Sequence, residues 1–264
     1  MVLLLTGAID IESFSIPNTV ISNINVRLKQ YLNSIEFALD EYNLISEIIF
    51  CENTNYEFDY SPLFEKAIKK GKKFEVVSFK GDYKTISEKG KGYGEGEIIS
   101  FALKNSEILK KCDVFYKLSG RLIVTNMDRI VAATTTDNSF IYHPKRIYNN
   151  RVSHVETFFY KVSKDLYIKY LDNVYQFVNE EDHRYLEHLF YERLSDLDLK
   201  SFRYAPLISG LSGSSGESYT FGKKALILEK INYSIGVHHL RKTFVQKILS
   251  NLFSSFLQIR RLFK

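Results

Sequence analysis

The chain reads Lys91-Gly92-Tyr93-Gly94-Glu95-Gly96-Glu97 just before an apolar segment with helical spacing, and Asp113-Val114-Phe115-Tyr116-Lys117-Leu118-Ser119-Gly120-Arg121 just after it. Glycines let a backbone approach a ligand closely, and the N-terminus of a following helix favours an anion. The apolar run 114–118 predicts a buried strand, and Ser119-Gly120 predicts a turn that presents Arg121. This order of loop, helix, strand and cationic turn predicts a crevice that faces phosphate groups.

Strands and helices alternate over the whole N-terminal half. Short apolar runs predict strands at 2–5, 45–51, 74–79 and 114–118, and helical spacing predicts helices at 26–42, 62–70 and 97–109, with a long loop at 80–96. This alternation favours an α/β fold with a mostly parallel twisted sheet and helices on both faces. Ligands of such sheets bind beyond the carboxyl ends of the strands, where Thr6-Gly7, the loop at Glu52 and the Ser119 turn fall.

The pattern is looser after residue 121. Residues 122–131 are helical or irregular, 139–143 and 157–162 are predicted strands, and 163–177 and 182–197 are predicted helices. A Gly/Ser loop covers 209–216, and 240–263 predicts an amphipathic helix or helix pair. No internal repeat or low-complexity linker is apparent. We therefore expect one α/β domain at residues 1–237 and a basic amphipathic tail at 238–264.

The charge and composition of the chain indicate which partners and which cellular compartment to expect. The net charge is +5, and residues 238–264 hold six Lys and Arg but no Asp or Glu. A basic amphipathic helix suits an anionic membrane surface, and a helix packed on the domain is the alternative. No membrane-spanning run, signal peptide or nucleic-acid-binding pattern is evident, and Cys51 and Cys112 suit reduced thiols. We expect a cytoplasmic protein, peripheral on the inner face of the plasma membrane.

Lys117 and Arg121 are the first candidate site residues. An ammonium group in a buried strand needs a partner, and a turn can aim a guanidinium into the crevice. Together they suit a diphosphate, with Arg121 as a fork of donors and Lys117 as a point charge. The alternative is a pair of structural ion bridges between the sheet edge and a helix.

Two glycine-containing segments are candidates for binding an anionic ligand. In the glycine-rich stretch we single out Gly94 and Glu95, although no Walker loop is present and a plain surface loop is the alternative. In the Gly/Ser loop, the hydroxyls and backbone N–H groups of Ser212, Ser214 and Ser215 suit an anion-binding nest. A simple connection is the alternative there.

Glu187 is the candidate general base. It shares one predicted helix face with His183 and Tyr191, beside an apolar stripe, and a carboxylate at the edge of a buried stripe suits proton transfer. A solvated Glu–His pair is the alternative. His183 and Glu187 are also possible metal ligands, but the sequence shows no third ligand, so no metal site is expected.

A dehydrogenase is a weaker alternative. Leu5-Thr6-Gly7-Ala8 resembles the start of a short-chain dehydrogenase, and Tyr160 and Lys164 supply a Tyr-x-x-x-Lys pair. The next glycine after Gly7 is Gly71, so the glycine-rich dinucleotide turn is absent.

With these residues in place, the chain resembles GT-A-type glycosyltransferases of bacterial capsule and lipopolysaccharide biosynthesis. The resemblance is strongest over residues 2–121, where the segment ending in Lys117-Leu118-Ser119-Gly120-Arg121 is similar to the one that carries the Asp-x-Asp metal turn in that family. Residues 157–197 resemble the acceptor half, with Glu187 in the region of the base. The chain departs from the family in having no Asp-x-Asp, so the family's use of a divalent metal does not carry over.

The resemblance implies a glycosyltransferase that passes a sugar from a nucleotide-sugar donor to a lipid-linked or growing surface polysaccharide. Thr6 and Gly7 would border the nucleoside, and Ser119, Lys117 and Arg121 would meet the diphosphate. If the reaction inverts the configuration of the sugar, Glu187 would deprotonate the acceptor hydroxyl; the sequence leaves inversion and retention open. We expect no cofactor and no divalent metal, because preorganised cations can stabilise the leaving group. The alternative is a non-catalytic module that binds a nucleotide sugar or an anionic glycan.

Overall fold

The computed structural model describes residues 1–143 apart from 13, 15, 17 and 18, then 153–211, 216–219, 223–239, 242, 245, 246 and 248. In chain order its helices and strands are β1 Val2–Gly7, α1 Ile24–Glu41, β2 Glu47–Glu52, α2 Ser61–Lys69, β3 Lys73–Ser78, α3 Tyr83–Lys89, α4 Lys91–Asn105, α5 Glu107–Lys111, β4 Val114–Ser119, β5 Ile123–Val124, α6 Met127–Ala133, β6 Tyr142–His143, β7 His154–Val155, β8 Phe159–Ser163, α7 Lys164–Leu166, α8 Leu186–Leu194, β9 Ile208–Ser209 and α9 Lys223–Ser234.

Within the described residues, five strands form the central sheet, in the order β3-β2-β1-β4-β8. The pairings of β1 with β2 and β4, and of β2 with β3, are parallel, whereas β8 runs antiparallel to β4. The predicted α/β fold with a mostly parallel sheet is therefore confirmed, and β8 is its antiparallel edge strand.

The apolar run at the start of the chain follows from the central position of β1. Leu3 and Leu5 pack on one face of the sheet with α1 and α2, and Leu4 packs on the other with α4 and α8. A parallel strand covered on both faces needs a continuous apolar run rather than an alternating one. The predicted helices on both faces of the sheet are confirmed.

The prediction of a long loop over residues 80–96 is wrong. The stretch holds α3 and the first turns of α4, so Gly92, Gly94 and Gly96 are helical. A Cβ on Gly96 would lie 2.1 Å from the Cβ of Tyr175, and a Cβ on Gly92 would lie 3.2 Å from that of Leu186. These glycines leave room for other segments against the α4 backbone, which outweighs their poor helix propensity.

The C-terminal half contains the other differences from prediction. Residues 163–177 do not form one helix: α7 runs into a π-helical turn at Tyr167–Leu171, Asn173 adopts the left-handed conformation with φ 64°, and a 3-10 turn covers Val174–Phe177. The left-handed conformation interrupts the helix, and asparagine tolerates it better than most other residues. The predicted helix 182–197 is the shorter α8.

The predicted C-terminal tail falls mostly outside the described residues, of which only 238, 239, 242, 245, 246 and 248 belong to it. In the part of the chain that is described, no helix has the length and apolar character needed to cross a membrane. Membrane association through the tail therefore stays a prediction.

Close packing on α4 can be tested with two alanine variants of the same helix. Gly96→Ala should lower the free energy of unfolding by about 1–3 kcal/mol, because overpacking forces the backbone at Tyr175 to shift. Gly94→Ala is the matched control, since its Cβ would come no closer than 3.2 Å to the side chain of Ile86 and 3.4 Å to that of Asn53. Urea unfolding followed by circular dichroism measures both, and equal stabilities would contradict the role given to Gly96.

Candidate functional site

A cavity of about 900 Å³ opens at the carboxyl ends of β1, β2 and β4. The parallel register brings these ends together, because Thr6 lies opposite Cys51 on one side and Ser119 on the other. Ligands of open α/β sheets bind at this edge. Of the predicted site residues, those that line the cavity are Thr6, Gly7, Gly94, Glu95, Ser119, Arg121 and Glu187.

Lys117 is fully buried and is not among the residues that line the cavity. Its ammonium group forms an ion pair with Glu95 Oε1 and donates to Thr157 O at 2.7 Å and to Ser119 Oγ at 3.2 Å. Three acceptors match the three N–H groups of a lysine, so the buried charge is satisfied. Lys117 reaches the cavity through Glu95 and Ser119, so its direct contact with a diphosphate stays a prediction.

Glu95 joins the buried pair to the cavity wall. Its Oε1 atom also accepts a hydrogen bond of 2.9 Å from Thr6 Oγ1. The side chain is 24% exposed, in contrast to the fully buried Lys117. One carboxylate of α4 therefore holds the ends of β1 and β4 together, at the place where a ligand would meet them.

Two of the cationic side chains that line the cavity are arginines. Arg121 Nη1 donates to Gln30 Oε1 at 3.0 Å, and the buried Arg27 donates to Ala8 O at 2.7 Å and to Ile21 O at 2.9 Å. Burial lowers the pKa of Arg27, and the nearby charge of Arg121 lowers it further. Among the described residues, neither arginine has a carboxylate within ion-pair distance, so both charges suit an anionic ligand.

The N-terminus of α4 already has an anion of the chain's own. The backbone N–H of Gly92 donates to the buried Glu180 Oε1 at 2.9 Å. A carboxylate at a helix N-terminus is stabilised by the free N–H groups and the helix dipole. Glu180 thus occupies a position that the sequence suggested for a ligand anion, although Gly94 and Glu95 still border the cavity.

Glu187 lies in the first turn of α8 and faces the cavity. Thr157 Oγ1 donates to its Oε1 atom at 2.8 Å. Burial raises the pKa of Glu187, and the negative charge of Glu156 adds to the rise, whereas the bond from Thr157 and the charge of Lys91 oppose it. A carboxylate with a raised pKa is a better proton acceptor than an ordinary one, as a general base requires.

Some of the remaining predicted residues lie away from the cavity, and the others lie outside the described residues. Tyr160 and Lys164 do not line the cavity, and Lys164 Nζ donates to the backbone oxygens of Leu109 and Lys110, which gives the dehydrogenase alternative no support. Ser212, Ser214 and Ser215 lie outside the described residues, so their role stays a prediction.

Several cavity residues were not evident from sequence. Arg27 lies on α1, whose bounds the sequence predicts only approximately, and Glu156 and Thr157 lie just before β8. The one signal available was their position beside strand and helix ends, which many other polar residues share. Only the docking of α1 and the antiparallel return of β8 bring them to the cavity.

No known family profile matches this sequence, and no curated protein matches it. Solved structures similar to the chain include a nucleoside-diphosphate-sugar pyrophosphorylase from Vibrio cholerae RC9, which is 13% identical over 73% of this chain and 86% of that one, with a TM-score of 0.38. HddC from Yersinia pseudotuberculosis is 17% identical over 64% and 79% of the two chains, with a TM-score of 0.30.

A third similar structure comes from Bacillus anthracis and contains sucrose. That protein is described as a candidate glucose-1-phosphate thymidylyltransferase. It is 10% identical over 93% of this chain and 98% of that one, with a TM-score of 0.43. At these identities and TM-scores the similarities assign the chain to no family and no activity.

The Lys117–Glu95 pair can be tested by a double-mutant cycle. Glu95→Gln should lower the free energy of unfolding by about 3 kcal/mol, because it leaves a buried ammonium without its counter-charge. The double variant Glu95→Gln/Lys117→Met should lose less free energy of unfolding than the two single variants lose together, since no unpaired charge remains. Urea unfolding measures all four proteins, and a coupling energy below about 0.5 kcal/mol would contradict the pair's structural role.

Proposed function

We propose that this chain is a glycosyltransferase that moves a sugar from a nucleotide-sugar donor to a saccharide acceptor. The observation that carries the proposal is the presence, in one cavity, of two arginine charges and a carboxyl group with a raised pKa. The first feature suits a diphosphate leaving group, and the second suits the hydroxyl group that replaces it. Nucleotidyl transfer to a sugar phosphate needs no such base, because the attacking phosphate is already ionised.

The donor is proposed to bind at the ends of β1 and β4. Thr6 and Gly7 border the nucleoside, and Arg121 and Arg27 stabilise the diphosphate as charge develops on it. Lys117 acts through Glu95 and Ser119, which it holds in position. In this proposal fixed cations stabilise the leaving group, which is the role of a metal ion in other enzymes.

The acceptor hydroxyl is proposed to lie beside Glu187. Its oxygen attacks the anomeric carbon while the bond from that carbon to the diphosphate oxygen breaks. The nucleoside diphosphate leaves with the bonding electrons, and the hydroxyl proton passes to Glu187. This route inverts the configuration of the donor sugar, and the charges balance without an external acid or base.

A lipid-linked acceptor and an anionic membrane surface belong to the same proposal. They are supported by the sequence pattern of residues 238–264, in which six cationic side chains interleave with apolar ones. A basic segment of that kind would hold the protein near an acceptor carried by the inner leaflet.

Binding and turnover separate the enzyme from a non-catalytic module. UDP, GDP and CMP are titrated first, by thermal shift and calorimetry, and the matching nucleotide sugars are then offered with and without acceptor saccharides. Arg121→Met should weaken binding of the preferred nucleotide by roughly 10- to 100-fold, because a hydrogen bond to a charged group contributes about 1.5–3 kcal/mol. Arg193→Met, which removes an exposed cation of α8, is the matched control.

The same assay includes Glu187→Gln. Turnover should fall by about 10²- to 10⁴-fold while donor affinity is unchanged, because the amide cannot accept the proton. A non-catalytic module would also lose affinity in Arg121→Met. It would show no turnover at all, so Glu187→Gln would have no activity to reduce. If none of the nucleotides binds and none of the donors is consumed, the glycosyltransferase proposal is wrong.

The pH profile tests the environment of Glu187. A base acts only when deprotonated, so activity is lost as the pH falls through the raised pKa of Glu187, above the ordinary value of about 4.3. Thr157→Val removes a hydrogen bond that favours the charged form, so the acidic limb of kcat/KM should move to higher pH. Thr157→Ser keeps the donor and should restore the profile, and an unmoved limb in Thr157→Val would contradict the assignment.

A further inference from the structure

Histidine and glutamate side chains meet where β6 and β7 pair. His143 lies directly opposite His154 in this antiparallel pair, which places both imidazoles on the same face. Glu156 follows His154 by two residues, so its side chain returns to that face. The backbone N–H of Glu156 donates to Ile141 O at 2.9 Å, which continues the pairing and holds the carboxylate beside the two rings.

The donor atoms of these side chains converge on one point. His143 Nε2 lies 3.2 Å from Glu156 Oε1, and His154 Nε2 lies 3.6 Å from the same oxygen. The three ligand atoms all lie within 4.8 Å of one another. Ligand atoms about 2.1 Å from a tetrahedral zinc ion are about 3.4 Å apart, so the spacing already suits a shared metal ion.

The cluster borders the cavity on one side and packed side chains on the other. His154 and Glu156 line the cavity, whereas the ring of His143 packs edge-on against the ring of His238, at a centroid distance of 4.8 Å. All three side chains of the cluster are half-buried. A metal ion here would be held from the protein side and approached from the cavity side.

We propose that His143, His154 and Glu156 bind a divalent transition-metal ion of the zinc class, with a free coordination position toward the cavity. Two histidines and one glutamate form a ligand set found in catalytic zinc sites, where the fourth position holds water or a substrate oxygen. In this chain that position would take water or an oxygen atom of a ligand in the cavity. His143 and His154 lie on β6 and β7, and Glu156 directly follows β7, whereas the proposed diphosphate contacts come from α1 and the turn after β4. The proposal therefore does not depend on the glycosyltransferase proposal.

The experiment uses the full chain after treatment with a chelator. Zn²⁺ and Mg²⁺ are titrated separately by calorimetry, metal content is measured after dialysis, and Co²⁺ serves as a visible-absorption probe of the ligands. We expect one Zn²⁺ per chain, no comparable uptake of Mg²⁺, and absorption bands typical of four-coordinate Co²⁺ with nitrogen and oxygen ligands. Absence of stoichiometric Zn²⁺ on the wild-type chain would overturn the proposal, whatever the variants do.

Variants assign the ligands. His143→Asn, His154→Asn and Glu156→Gln should each weaken Zn²⁺ binding by at least about tenfold, because each removes one of three protein ligands. His183→Asn is the matched control: His183 also borders the cavity but lies outside the cluster, and asparagine tolerates its φ of 58°. Circular dichroism checks that each variant folds. Wild-type affinity in a folded His154→Asn variant, or equal loss in His183→Asn, would show that the metal binds elsewhere.

Discussion

The ammonium group of Lys117 is fully buried and needs three acceptors, and they come from separate parts of the fold. Glu95 reaches it from α4, Ser119 from the end of β4, and the carbonyl of Thr157 from the segment before β8. Burying this charge without those partners would cost several kcal/mol. The positions of α4 and of the return to β8 are therefore tied to one cation in the centre of the sheet.

The glycines of α4 allow close packing around the helix that carries Glu95. Larger side chains at Gly92 or Gly96 would meet Leu186 or Tyr175. Glu180 then caps the helix by accepting from the N–H of Gly92. Glycines that resemble a ligand-binding loop in the sequence thus serve the packing of a helix, and the helix delivers Glu95 to the cavity wall.

The charges of the cavity come from different elements. Arg27 and Arg121 come from α1 and from the turn after β4, whereas Glu187 and Glu156 come from α8 and from the segment between β7 and β8. Cations suit a phosphate-bearing donor, and a carboxyl group with a raised pKa suits a hydroxyl-bearing acceptor. The geometry therefore favours transfer between two substrates over simple binding of one, which is why we propose a glycosyltransferase rather than a binding module.

The sequence by itself determined the five strands of the central sheet, most of the helices before β4, and the edge of the sheet where ligands of such folds bind. Apolar periodicity is a local property, and the carboxyl ends of parallel strands always meet at one edge. Thr6, Ser119 and Arg121 could be selected for that reason, and Glu187 for its place beside the apolar stripe of a helix. Only the tertiary structure decided that Lys117 is satisfied within the core, that Arg27 joins Arg121, and that His143 and His154 converge on Glu156. Those contacts join residues far apart in the chain, and their distances depend on how helices and the antiparallel strand dock, which no local pattern records.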